Sequence, residues 1–216
     1  MTTAPRRVPT FLLALSSLRE AGFNGRVDVF AEPGTWDQAP RSKDTLTVTH
    51  DHAVTLGGFG NWRHAITSLL ASDDSPWLLV VQDDAIWAPG SANKLHAEAT
   101  ARRDLRTGFL SPYVTSKDVP SGSVEGWNEC RSGWYLWGAL ALCIPRDAAR
   151  ELLQHPRFVE HGGSQQVDAV VAASMLDLGR PSYVHVPSLV DHVGETSTLG
   201  HDDIASTLRG HRFMEK

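Results

Sequence analysis

The stretch that most constrains the fold runs from Pro76 to Pro89 and reads PWLLVVQDDAIWAP. Trp77 to Val81 is an unbroken apolar run of strand length, without glycine or proline. A strand with one wet face alternates. A continuous run is covered on both faces, as in the middle of a mostly parallel sheet. The run stops at Gln82-Asp83-Asp84. Open α/β sheets bind ligands beyond the carboxyl ends of their strands. Two adjacent carboxylates there repel each other and lose hydration, and a hard divalent cation such as Mg2+ or Mn2+ compensates them. A strand followed by a solvated acidic turn is the bland alternative.

The rest of the chain predicts helices over 10–21, 62–71, 92–103, 145–154 and 164–178, with a short one over 202–209. Strands are predicted over 26–31, 46–49, 108–111, 136–144 and 183–186. Gly22 and Gly179 stand where helices should stop, and Pro145 suits a first helical turn. Gly57-Gly58-Phe59-Gly60 reads as a flexible turn, with Asn61 capping the helix that follows. Residues 113–134 are rich in Gly, Ser and Trp without periodicity; a loop of that length in a compact domain is usually functional. The order predicts a three-layer α/β/α sandwich around a mixed, mostly parallel sheet. It is expected as one domain over 1–216. Thr2 to Arg7 reads as a loop. In such a fold a buried strand precedes the first helix, and Met1 stands where that strand should end. The sequence leaves open a reorganised edge or a chain that begins further upstream.

Length and charge narrow the function. A chain of 216 residues has enough length for a sizeable core, and a formal net charge of −5 argues against a broad nucleic-acid-binding face. Arg102, Arg103 and Arg106 form the densest basic cluster and read as a solvated helix end. Cys130 and Cys143 have no zinc spacing and no CxxC pattern, so buried reduced thiols are expected, with a single disulfide as the alternative. Arg6 and Arg7 before Phe11 to Leu15 resemble a signal peptide only superficially, because the apolar run is too short. No stretch reaches transmembrane length, and a soluble cytoplasmic protein is expected.

Four pieces in order resemble the GT-A glycosyltransferases, nucleotide-sugar-dependent enzymes with an acidic metal motif. The resemblance runs from Thr2 to about His201, and it implies a donor-binding half over about 1–90 and an acceptor and catalytic half over about 91–216. Gln82-Asp83-Asp84 is similar to the DXD motif. The resemblance makes Asp84 a ligand of Mn2+ or Mg2+, gives Asp83 the orientation of the nucleotide sugar, and leaves Gln82 to hydrogen-bond ribose or base. Trp137-Gly138-Ala139 resembles the glycine-containing loop facing the donor sugar. Gln165-Gln166-Val167-Asp168 resembles the motif carrying the catalytic base of inverting enzymes; the family's glutamate is Val167 here, which leaves Asp168 for that role. Taken alone, Asp168 is more simply an acid that the helix dipole favours. His192, in a stretch running from Pro187 to Gly194, resembles the C-terminal metal histidine, with Ser197 and Thr198 beside the diphosphate.

The same resemblance assigns Thr3, Arg6, Glu32 and Asn61 to the donor pocket. Trp127, Trp134 and Trp137 offer stacking faces for an acceptor, although packing under a loop explains such residues equally well. His50-Asp51-His52 invites a second metal site, but no further ligand lies nearby in sequence. The implied activity is transfer of a sugar from a UDP-sugar to a hydroxyl acceptor, with inversion. The acceptor is a glycan, a lipid-linked sugar, a small molecule or, more rarely, a hydroxymethylated base in DNA, which the acidic total does not advertise. A nucleotidyl- or phosphotransferase using the same carboxylates would release pyrophosphate or a nucleoside monophosphate instead. A catalytically inactive nucleotide-sugar-binding module is the other alternative.

Overall fold

A computed structural model of the chain describes residues 1–6, 8–72, 74–130, 138–160, 166–193 and 209–213. The elements in order are β1 (Thr2–Thr3), α1 (Phe11–Glu20), β2 (Val27–Ala31), α2 (Thr35–Gln38), β3 (Thr47–Asp51), α3 (Gly57–Ser72), β4 (Trp77–Val81) and β5 (Ala85–Trp87). There follow α4 (Ser91–Ala101), β6 (Leu110–Ser111), β7 (Gly126–Cys130), β8 (Ala141–Pro145), α5 (Arg146–Gln154), α6 (Pro156–Glu160), α7 (Val167–Asp177), β9 (Ser182–Val186) and β10 (Val190–His192).

The strands lie in the order β3-β2-β1 and β4-β8-β6-β9-β7, and a parallel bridge between Thr2 and Gln82 joins the two groups. β1, β2 and β3 run parallel, as do β6 and β9, while β8 and β7 run against their neighbours. The sheet is therefore mixed and mostly parallel, as expected. β5 and β10 form a separate antiparallel pair.

Apolar side chains leave this sheet on both faces. Leu78 and Val80 of β4, with Leu142 and Ile144 of β8, pack under α3, α5, α6 and α7 against Trp62, Ile66, Leu152, Phe158 and Met175. Val81, Ala141 and Cys143 point the other way, onto Phe11, Leu15 and Leu18 of α1 and Leu95 of α4. Period-two alternation on each strand thus feeds two helical layers, and this is why the β4 run carries no polar face. Each fully buried aliphatic or aromatic side chain contributes about 1.5–3 kcal/mol.

Several expectations change. Thr2 and Thr3 form a strand, buried and paired parallel with Phe30 and Ala31, instead of a loop. The four residues from Gly57 to Gly60 belong to α3, so Asn61 is an interior helical residue and not a cap. The region 113–134 contains β7, paired along its length with β9; its sheet-edge position, half-buried and rich in polar residues, hid its periodicity. Pro145 ends β8 and caps α5 instead of opening it. The helix expected over 202–209 lies almost wholly outside the described residues. Among the described residues, no helix is long and apolar enough to cross a membrane.

A cavity of about 780 Å3 opens at the N-terminal ends of β2 and β4, between Met1, Val27, Leu79, Leu95 and Cys143. It lies at the opposite end of the strands from the carboxylates.

Candidate active site

The end of β4 turns sharply. Gln82 still donates its N–H to Leu140 O at 2.8 Å, and Ala85 N–H returns to Gln82 O at 3.3 Å. Asp83 and Asp84 are held at this turn, each only 2% exposed. Asp83 is fully engaged. Its Oδ2 accepts from Thr3 Oγ1 at 2.6 Å, and its Oδ1 accepts from Arg6 Nε at 2.9 Å and Nη2 at 2.6 Å. Thr3 arrives because β1 lies beside β4, and Arg6 because the chain then passes over the strand ends.

Asp84 is different. Its Oδ2 meets Arg6 Nη2 at 3.0 Å and His192 Nε2 at 3.0 Å. Its Oδ1 is buried with no hydrogen-bond partner among the described residues. His192 is brought there by β10, which pairs antiparallel with β5 so that His192 stands opposite Ala85. Val193 N–H donates to Asp84 O at 3.1 Å and closes the ladder. Burial pushes Asp83 above the ordinary carboxylate range despite Arg6. On Asp84 burial acts the same way but is outweighed by the hydrogen bond from His192 and the charge of Arg6, so this carboxylate is held low. Burial likewise opposes the charge on Arg6, and the two carboxylates more than restore it.

A second group of residues lies at the C-terminal end of the sheet. Gly138 takes φ of +92° and donates its N–H to Asp168 Oδ2 at 2.5 Å, while Ala169 N–H donates to Asp168 Oδ1 at 2.9 Å. Asp168 is in the first turn of α7, where backbone donors are free to meet it. It is buried, and burial pushes its carboxyl up in spite of both N–H groups. Tyr113 packs beneath Gly138; a Cβ added to that glycine would stand 2.8 Å from Tyr113 Cε1. Burial, followed by the charges of Asp191, Asp118, Asp84 and Asp168, raises the Tyr113 phenol. Tyr113 therefore packs on the Gly138 loop and feels the charges of both Asp84 and Asp168.

No family model and no curated protein sequence matches the chain. Solved structures do. PcManGT, a mannosyltransferase from Pyrobaculum calidifontis in complex with GDP-Man and Mn2+, aligns over 86% of this chain and 56% of its own, with a TM-score of 0.50 and 14% identity. GalNAc-T7 with UDP, GalNAc and Mn2+ aligns over 88% of this chain and 42% of its own, with a TM-score of 0.62 and 10% identity. The chain has the GT-A fold. It spans about half the length of these two structures.

In this GT-A fold the sequence-derived residues fall into three groups. Thr3, Arg6, Asp83, Asp84 and His192 converge. Gly138 and Asp168 meet each other, and Ala139 follows them into β8, buried at 3% exposure. Glu32 and Asn61 hydrogen-bond neighbouring backbone. Both carboxylate oxygens of Glu32 accept from Leu56 N–H, at 3.2 and 2.9 Å. Asn61 Nδ2 donates to Phe30 O at 3.1 Å and Thr3 O at 3.4 Å, and its Oδ1 accepts from His52 at 3.0 Å. Trp127 lies on edge strand β7, its ring edge-on to His185 at 5.2 Å. Trp134, Trp137, Ser197 and Thr198 lie outside the described residues.

His50 bonds Asp28 Oδ1 at 2.7 Å and stacks on Phe30, so it and His52 have separate partners. Among the described residues no three His, Cys, Asp or Glu side chains gather as a metal cluster. Asp84 and His192 nevertheless suit a metal: Asp84 Oδ2 stands beside an imidazole, its Oδ1 is buried without a partner among the described residues, and this donor set fits Mn2+. Tyr113 was invisible in sequence, because it falls in the aperiodic segment and gains meaning only from what packs on it.

Proposed function

We propose that this chain is a metal-dependent glycosyltransferase that moves a sugar from a nucleotide-diphosphate donor, a UDP-sugar, to a hydroxyl acceptor with inversion at the anomeric carbon. One observation carries the reading. At the end of the central strand, two buried carboxylates and a histidine meet, and Asp84 Oδ1 has no hydrogen-bond partner among the described residues. Structural relatives solved with nucleotide sugars or nucleotides and Mn2+ support it.

The residues divide the work. Asp84 and His192 would hold the metal, which when bound would neutralise the charge that develops on the departing diphosphate. Mn2+ is preferred to Mg2+ because imidazole is among the donors. Asp83 is assigned to the donor indirectly: its oxygens are taken by Thr3 and Arg6, and it holds those two side chains in place at the donor site. Gly138 belongs to the loop assigned to the donor sugar, and its positive φ and closeness to Tyr113 leave no room for a side chain there. The acceptor oxygen forms the new bond to the anomeric carbon as the bond to the diphosphate breaks, and its proton passes to Asp168. A carboxyl raised by burial is a stronger base than one in water, which suits that transfer. Trp127, Trp134 and Trp137 are assigned to the acceptor, and Gln82, Glu32, Asn61, Ala139, Ser197 and Thr198 to the donor pocket.

Calorimetry of UDP binding with and without Mn2+, on the wild type and on Asp84→Asn, tests the reading. Metal-dependent binding that the substitution abolishes is expected. Absence of UDP binding under both conditions overturns it. With an active donor, release of UDP instead of pyrophosphate distinguishes sugar transfer from nucleotidyl transfer.

A further inference from the structure

The guanidinium of Arg6 stands where a divalent cation would also be drawn. It reaches both carboxylates of the motif, with Nη2 2.6 Å from Asp83 Oδ1 and 3.0 Å from Asp84 Oδ2. The three side chains are nearly shut off from water, at 13% exposure for Arg6 and 3% for each aspartate. Two neighbouring buried negative charges require compensation, and removing it is strongly unfavourable. A planar fork spans adjacent carboxylates in a way that an ammonium cannot.

The contacts are unequal. Asp83 accepts from Arg6 through both Nε and Nη2 and is closed on its other oxygen by Thr3. Asp84 receives a longer contact on Oδ2, which it shares with His192, and keeps Oδ1 without a hydrogen bond among the described residues. Asp83 is thus the anchor of Arg6, and Asp84 is the contact that can be exchanged.

We propose that Arg6 is a built-in counter-cation that competes with the divalent metal for Asp84 and so makes metal uptake depend on the nucleotide. The proposal rests on the reading of Asp84 and His192 as metal ligands. A metal arriving alone must share Asp84 with a fixed positive charge. A metal arriving with a diphosphate does not, because the phosphate oxygens give the Arg6 fork an alternative anionic partner. Metal and nucleotide then strengthen each other's binding reciprocally, with coupling in the range of about 5–150-fold usual for linked sites.

The test measures Mn2+ binding directly, from the paramagnetic resonance signal of free Mn2+, without any turnover. Wild type, Arg6→Gln, Arg6→Lys and Asp84→Asn are titrated with and without UDP, after circular dichroism has verified their folding. In the absence of nucleotide, Arg6→Gln should bind Mn2+ about tenfold more tightly than wild type, the order expected when a charged hydrogen-bonding competitor is removed. Its affinity should respond less to UDP. Arg6→Lys, which keeps the charge but loses the fork, should change in the same direction by less. Wild type and both Arg6 variants binding Mn2+ equally, with Asp84→Asn not binding, would overturn the role of Arg6 and leave the metal site intact. No Mn2+ binding by any of them, even with UDP, would overturn both. If Arg6→Gln does not fold, Arg6→Lys decides: an unchanged affinity overturns the proposal.

Discussion

Gly138→Ala tests how tightly the loop before β8 is tied to Asp168. Gly138 sits at φ +92°, and its ideal Cβ would lie 2.8 Å from Tyr113 Cε1 and 3.6 Å from Cδ1. Tyr113 is 1% exposed and cannot swing away. The positive φ costs about 1–2 kcal/mol for a residue with a Cβ, and forcing a methyl into a closed contact adds about 1–3 kcal/mol. The total is about 3 kcal/mol. For a chain of this length that lowers the melting temperature by about 6–12 °C. Gly90→Ala is the internal control, because Gly90 has φ +76° and nothing within 4 Å of its Cβ. It should cost the backbone term alone, about 1–2 kcal/mol. Differential scanning calorimetry of both variants separates the steric part. In a Tyr113→Leu background, Gly138→Ala should become nearly as mild as Gly90→Ala. If Gly138→Ala costs no more than Gly90→Ala in the native background, the packing of Tyr113 against this loop is wrong. The position of Asp168 argued from the Gly138 N–H fails with it.

Two further outcomes are expected. Arg180, whose side chain is 2% exposed, donates to both oxygens of Glu151 at 2.8 Å, to Asp147 at 2.7 Å and to Thr107 O at 3.1 Å. Since Glu151 and Asp147 are themselves 39% and 64% exposed, the ion pairs are discounted, and Arg180→Met should cost about 2 kcal/mol, mostly from the stranded carbonyl and lost hydrogen bonds. The hydrogen bond from Arg180 holds Glu151 below the ordinary carboxylate range. Its contribution is present above the unfolded value and disappears as pH falls through the folded one, so the stability gap to wild type should narrow below about pH 4. A gap unchanged from pH 7 to pH 3 counts against the ion pair. Asp168→Asn should lower turnover by about 10²–10⁴-fold. Burial raises this carboxyl, so the wild type should lose stability as pH climbs from the unfolded value to the raised folded one, and activity should rise over the same range. The variant should lack both limbs; a wild-type activity profile in Asp168→Asn removes the base role.

The architecture was legible because its cause is local. An unbroken apolar β4 can be satisfied only between two layers, and the periodic apolar positions of α1 and α3 supply them. The same logic read helix ends at Gly22 and Gly179 correctly. It failed where pattern and packing part company. β1 is two residues long and carries no periodicity. Gly57 to Gly60 have the composition of a turn, yet Phe59 is drawn into the core at 5% exposure and helix propensity yields to burial. β7 alternates too weakly to be seen because it lies on the sheet edge, paired on one side to β9.

The carboxylates at the end of β4 were legible for the same reason: strand direction fixes which end carries the ligand. What surrounds them was not. That Arg6 lies across both aspartates, that His192 is carried back to Asp84 by the β5–β10 pair, and that Gly138 leans on Tyr113 are contacts between residues 25 to 108 positions apart. The sequence by itself determined the layers, the direction of the strands and the acid at the end of the central one, because hydrophobic period and chain direction act within a few residues. Only the tertiary structure decided which carboxylate is saturated and which keeps an oxygen without a partner among the described residues, because that depends on charges and donors brought from distant parts of the chain.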